Sequence, residues 1–293
     1  MRRFFLILCF TCLPSLAHAW NAAGHRLTAA IAWQQLSPPS RQRIGEMLAR
    51  HPDYARWTER AGSSEVRDIF AEAATWPDDI RHDPRFYDER RDPPTASIPG
   101  LPDSARHKAW HYVDLADDGK RQAGELDLQI ERLAQLIGSG ETDVAWALPW
   151  LLHLVADIHQ PLHAGKHEDE GGNSIEIKNP FSKGLPFSSL HTYWDNLPGP
   201  SRLRGQPLAK QAGELLARYP APRQGNVRLW RNESHRLLAA VYPPQEGSLL
   251  PTITEEFQHQ ASELAGQRIV DAGYRLGRLL ESLLARRVSR ETR

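Results

Sequence analysis

His153 and Asp157 stand four residues apart in the run ALPWLLHLVADIHQ, and His191 and Asp195 repeat that spacing in HTYWD. Residues four apart share one face of a helix, so each pair sets an imidazole nitrogen beside a carboxylate oxygen. His163 falls between the pairs, directly after Gln160-Pro161-Leu162, where the proline turns the chain. One pair alone reads equally well as a histidine–aspartate hydrogen bond in a core. Two pairs and a further histidine suggest a multinuclear metal site. Nitrogen and oxygen donors without thiolate favour Zn²⁺, with Mn²⁺ or Fe²⁺ behind it.

The elements that position these groups read mainly as helix. Residues 22–36, 41–50, 65–75, 125–137, 143–160, 208–219, 227–242 and 254–287 carry helical patterning. Residues 143–160 matter most. Trp146, Leu148, Trp150, Leu151, Leu152, Leu154, Val155 and Ile158 cover most of that helix, so it should be buried, and Asp157 with it. Pro149 is expected to kink this helix or end its first part. Strand signals are sparse: residues 174–178 alternate after the turn-prone Gly171-Gly172-Asn173. Loops are expected at 83–103, 163–189 and 198–206. The fold class is mainly α, a single multi-helix domain with a small β-hairpin.

The chain has 293 residues with 36 basic and 36 acidic side chains, which argues against holding nucleic acid by a broad basic stripe. Its first 19 residues read as an export signal. Arg2 and Arg3 precede an apolar run over 4–13, and Ala17-His18-Ala19 forms a cleavage site. That run is too short to span a bilayer, and no other segment is apolar enough. RRFFL also fits a twin-arginine signal. Cys9 and Cys12 leave with this leader, so the remaining chain, residues 20–293, has neither disulfide nor thiolate ligand.

Weaker candidates lie upstream. Asp78 stands in Trp76-Pro77-Asp78-Asp79, and Asp79 is its rival. His111 opens His111-Tyr112-Val113-Asp114. Cleavage before Trp20 creates an α-amine with a pKa near 8, able to lose its proton and bind metal, with His25 five positions on. His51, His82, His107, His167, His235 and His259 are taken as exposed. His159 points to another helix face and stays outside the metal set.

Together Trp20, His25, WPD, HYVD, HLVADIHQPLH, GGN and HTYWD resemble the exported, single-strand-specific zinc nucleases of fungi, plants and bacteria, structural relatives of the bacterial zinc phospholipases C. The resemblance runs in order from Trp20 to Asp195, and the helical remainder suits the same fold. It implies three zinc ions. One is held by Asp78, His111, His153 and Asp157, and a second by His163, His191 and Asp195. The third takes the Trp20 amine and carbonyl, His25 and a bridging oxygen of Asp157. It also implies that Arg81 stabilises the transition-state phosphate, that Tyr112 stacks on a base and Asp114 hydrogen-bonds it, and that Asn173 contacts substrate or shapes its turn. The implied activity is cleavage of single-stranded RNA and DNA to 5′-phosphates, with 3′-nucleotides as further substrates. The implied location is a periplasm or the cell exterior, without membrane insertion once the signal is cut. A monomer is the default. The alternatives are a zinc phospholipase C on the same scaffold, in which the last carboxylate ligand is usually Glu rather than Asp195, and a non-catalytic zinc-binding protein.

The maturation step is directly testable. Protein bearing one extra residue before Trp20 should hold less zinc and lose most of its activity, measured by metal analysis paired with N-terminal sequencing.

Overall fold

The computed structural model describes residues 20–141, 143–244 and 250–291, with side chains described to residue 285. The proposed leader, residues 1–19, lies outside them. The helices are α1 (Ala22–Gln34), α2 (Pro38–Ala49), α3 (Tyr54–Ala61), α4 (Val66–Ala73), α5 (Trp76–Asp79), α6 (Leu126–Ser139), α7 (Ala147–Asp157), α8 (Leu190–Asn196), α9 (Gly205–Arg218), α10 (Val227–Arg236) and α11 (Glu255–Glu291). Strands β1 (Val113–Leu115) and β2 (Arg121–Gly124) form one antiparallel hairpin, β3 (Glu176–Lys178) and β4 (Phe187–Ser189) another. Among the described residues no helix is long and apolar enough to cross a membrane.

The fold is mainly α, as the patterning indicates, but three local details differ. Helix α7 starts at Ala147 rather than at 143, so Pro149 occupies its first turn. Backbone N–H groups there have no intrahelical partner, and the proline neither kinks nor interrupts the helix. Two hairpins are present rather than one. The additional one, β1–β2, is three and four residues long around a polar turn, too short for an alternation signal. Helix α3 also lacked a signal, since it buries a single residue, Trp57.

Helix α7 is the centre of the core: all of its residues are buried, against α1, α6 and α11. Each large apolar side chain buried there contributes roughly 1.5–3 kcal/mol. Helices α1 and α11 pack closely because α11 presents Gly273, where a Cβ would sit 2.4 Å from Ile31 Cγ2. Buried polar contacts then fix the helices relative to one another. Glu72 of α4 accepts both Nε and Nη2 of Arg26 on α1, at 2.7 and 2.9 Å. Trp76 Nε1 donates to Asp53 Oδ2 at 2.6 Å, anchoring α5. On the far side of α7, Arg268 of α11 donates to the His159 carbonyl, and Arg275 donates to His159 Nε2 at 3.0 Å. His159 is thus spent on structure.

His51, expected at the surface, is buried. Its ring stacks on Trp57 and meets Trp76 edge-on, and its Nδ1 accepts the Asp53 N–H at 3.1 Å. A loop position between two helices carries no periodicity that signals such burial. Burial lowers its pKa from 6.5 to about 4, Asp53 opposing the shift. The folded protein therefore resists protonation that the unfolded chain accepts. This contribution is complete above pH 6.5 and is lost as pH falls towards 4. His51→Asn keeps an acceptor without the titration. It should lose about 2 kcal/mol less stability than wild type between pH 7 and pH 4.5, read from urea unfolding at both pH values.

Candidate metal centre

The ligand-type side chains come from α7 itself and from elements around it, of which α1, α5 and the 3-10 turn Lys108–His111 pack on α7. Asn21 caps α1, its Oδ1 accepting the Ala23 N–H at 2.9 Å, and its own N–H donates to the Asp195 carbonyl at 3.0 Å. The start of α1 is thereby tied to α8, placing buried Trp20 beside that helix and His25 in the first turn. The His25 ring stacks on His153 with centroids 3.8 Å apart. Asp78 comes from α5, His111 from the 3-10 turn Lys108–His111, and His163 from the 3-10 turn Pro161–Ala164. Ser189 caps α8, which carries His191 and Asp195 on one face, Nε2 to Oδ2 being 3.5 Å.

Asp157 lies at the focus. Its Oδ2 is 3.1 Å from His111 Nδ1, 3.3 Å from His153 Nε2 and 4.0 Å from His163 Nδ1, while Oδ1 is 3.5 Å from His25 Nε2. Burial pushes its pKa well above the carboxylate range, and Asp78 adds to the effect. Asp195 is raised for the same first reason. Burial likewise holds His25, His111, His153 and His163 well below the usual histidine value. These imidazoles are neutral at neutral pH, the form in which nitrogen binds metal.

The tautomers are set by main-chain carbonyls. His153 Nδ1 donates to Ala74 O at 2.8 Å, His163 Nδ1 to His111 O, and His191 Nδ1 to Gly171 O at 2.7 Å. Each Nε2 is then an acceptor lone pair, the orientation that metal-binding histidines adopt. His163 Nε2 and His191 Nε2 lie 3.1 Å apart. Two lone pairs at that separation repel unless a cation lies against both. His111 Nε2, Asp157 Oδ1 and Asp195 Oδ2 are also buried without hydrogen-bond partners. Such atoms are costly unless satisfied. The donor set fits a divalent cation.

Three groups of donors fall within 4.8 Å: Asp78 with His111 and His153; His163 with His191 and Asp195; and His25 with His153 and Asp157. Each overlaps a set expected from sequence: the first has three of its four side chains, the second all of them, and the third has His25 and Asp157 with His153 beside them. Asp79 turns away to pair with Arg60 at 2.7 Å.

A cavity of about 340 Å³ opens over His111, His163 and His191. Arg81, Tyr112, Asp114 and Asn173 line it. Arg81 is buried, with Nε 3.2 Å from Asp78 Oδ1. The β1–β2 hairpin presents Tyr112 and Asp114. It closes over Tyr112 only because Gly124 is opposite, where a Cβ would lie 2.1 Å from the Tyr112 carbonyl oxygen. Asp114 is buried, which raises its pKa, and its Oδ2 meets His167 Nδ1 at 3.2 Å. Sequence reasoning assigned no role to His167, Arg90 and Lys108, which also line the cavity. Lys108 had a usable signal, its position three residues before His111.

A family model described as S1/P1 Nuclease matches residues 20–285. Endonuclease 1 of Arabidopsis thaliana is 29% identical over 63% of this chain, which spans 55% of that protein. Endonuclease 4 of the same plant is 24% identical over 95% of this chain and 94% of its own length. Alpha toxin from Clostridium absonum, a solved structure, aligns over 90% of this chain and 64% of that one at 14% identity, with a TM-score of 0.43.

Asp157 faces four imidazoles with its two oxygens, and its loss should be felt more than that of His25. Asp157→Asn should retain at least one zinc fewer than His25→Ala, by metal analysis after dialysis. Thorough chelation of the wild type should lower its thermal midpoint by roughly 10 °C, since ligation stabilises only the folded state.

Proposed function

Because this chain belongs to the S1/P1 nuclease family, we propose that it is an exported zinc endonuclease that hydrolyses phosphodiester bonds of single-stranded RNA and DNA to 5′-phosphates, and also dephosphorylates 3′-nucleotides. The observation that carries this reading is the three adjoining groups of histidine and aspartate donors at one cavity, with an aromatic ring and a carboxylate beside them.

Asp78, His111, His153 and Asp157 would hold one zinc, His163, His191 and Asp195 a second, and His25, Asp157 and the freed Trp20 amine and carbonyl a third. Zinc, when bound, supplies positive charge to a phosphate and lowers the pKa of water near it. The side chains divide the remaining work. Arg81 donates to phosphate oxygens, its direction kept by Asp78. The Tyr112 ring offers a face to an unstacked base, and Asp114 accepts from that base's polar edge. A base inside a duplex cannot reach such a ring, which accounts for the preference for single strands. His163 and His191 are unsuited to moving a proton, because each Nδ1 is committed to a main-chain carbonyl and each Nε2 faces the other ring. Asn173 holds its own turn, Nδ2 donating to the Glu170 carbonyl at 2.8 Å, and leaves Oδ1 as an acceptor.

Zinc-loaded mature protein should cleave single-stranded RNA and DNA, with duplex cut at least about tenfold more slowly and phosphatidylcholine untouched. Chelator should abolish the cleavage and zinc restore it. Hydrolysis of the phospholipid without the nucleic acids would assign the lipase alternative. Zinc binding with neither activity would assign a storage role.

A further inference from the structure

Two cations at the cavity take no part in the reading above. Lys108 and His111 are the ends of one 3-10 turn, in which residues three apart eclipse on the same face about 6 Å apart. The Lys108 ammonium is held by Asp88, Nζ to Oδ2 at 2.6 Å, and Asp88 is buried. The other Asp88 oxygen accepts the Arg90 N–H at 3.2 Å. Glu89 accepts the N–H of His107, one residue before Lys108, at 2.9 Å. Consecutive carboxylates of the 83–103 loop thus stitch it to the turn that carries His111, and bring Arg90 and Lys108 to the same cavity.

A buried carboxylate devoted to a half-buried lysine fixes where the ammonium stands. An ammonium has three N–H donors and Asp88 uses one. The others, with the exposed Arg90 guanidinium, form an anion site beside the ligand nest. His111, Lys108 and Arg90 all line the one cavity. Guanidinium and ammonium donors suit phosphate oxygens well.

Resting on the nuclease reading, we propose that Lys108 and Arg90 bind a second phosphate, the neighbour of the one being cleaved, and that Asp88 positions Lys108 for it. The subsite makes the protein select polynucleotides over mononucleotides, a discrimination that base stacking on Tyr112 does not provide.

The test compares holoenzyme variants on two substrates, a single-stranded DNA octamer and a 3′-mononucleotide. Lys108→Ala combined with Arg90→Ala should lower the ratio of kcat/KM values, octamer over mononucleotide, about fivefold or more, through KM. The salt dependence of the octamer KM should become shallower by about one phosphate contact or more. Lys108→Arg should restore most of the ratio. Replacing the neighbouring phosphodiester by an uncharged methylphosphonate, on each side in turn, should cost the wild type a similar factor and the double variant little. Parallel losses on both substrates, or equal sensitivity of wild type and variant to the methylphosphonate, overturns the subsite while leaving the nuclease reading intact. A wild type that cleaves neither substrate overturns the nuclease reading, and the subsite with it.

Discussion

The carboxylate of Asp157 sits fully buried in a helix whose one other polar side chain is His153, four residues before it. Removing a carboxylate from water costs several kcal/mol, and at Asp157 that burial outweighs the opposing pull of the Arg81 charge. The groups around it are imidazoles that burial keeps neutral. Such a centre is stable only if cations complete it or if the carboxylate takes up a proton. Much of the remaining architecture follows from keeping those donors in place.

The bracing is done by hydrogen bonds one step removed from the donors. Carbonyls of Ala74, His111 and Gly171 each take an Nδ1–H, and each turns an Nε2 lone pair inward. Those carbonyls belong to a helix end, a 3-10 turn and a glycine turn, where backbone oxygens are left over from regular pairing. Further out, the Arg26–Glu72 bidentate pair clamps α1 to α4, so that the helix carrying His25 and the segment leading to Asp78 move together. Arg268 and Arg275 hold the C-terminal end of α7 through His159. The core therefore acts as a rigid frame for side chains contributed by six separate segments.

The cavity assembled on this frame joins two kinds of chemistry. Its floor belongs to neutral nitrogen donors and buried carboxylates, and its rim to Arg81, Arg90 and Lys108 together with Tyr112 and Asp114. That division reconciles a chain without net charge with the polyanionic substrate proposed for it. Positive charge is concentrated at the cavity rather than spread along a surface.

Much of this was legible from residue types and spacing. The His153/Asp157 and His191/Asp195 pairs follow from helical period alone, and the apolar run around the first pair announces its burial. Likewise the Gly171-Gly172-Asn173 turn and the mainly helical class are local properties. Contacts between distant segments were not. His51 is buried because two tryptophans from α3 and α5 close over it, and Lys108 belongs to the cavity because Asp88 and Glu89 fold back onto its turn. Which carbonyl fixes which imidazole, and that His25 stacks on His153 across 128 positions of chain, were likewise decided only in three dimensions. Periodicity reports which face of an element is buried. What that face meets is set by packing between elements, a property that no stretch of sequence carries by itself.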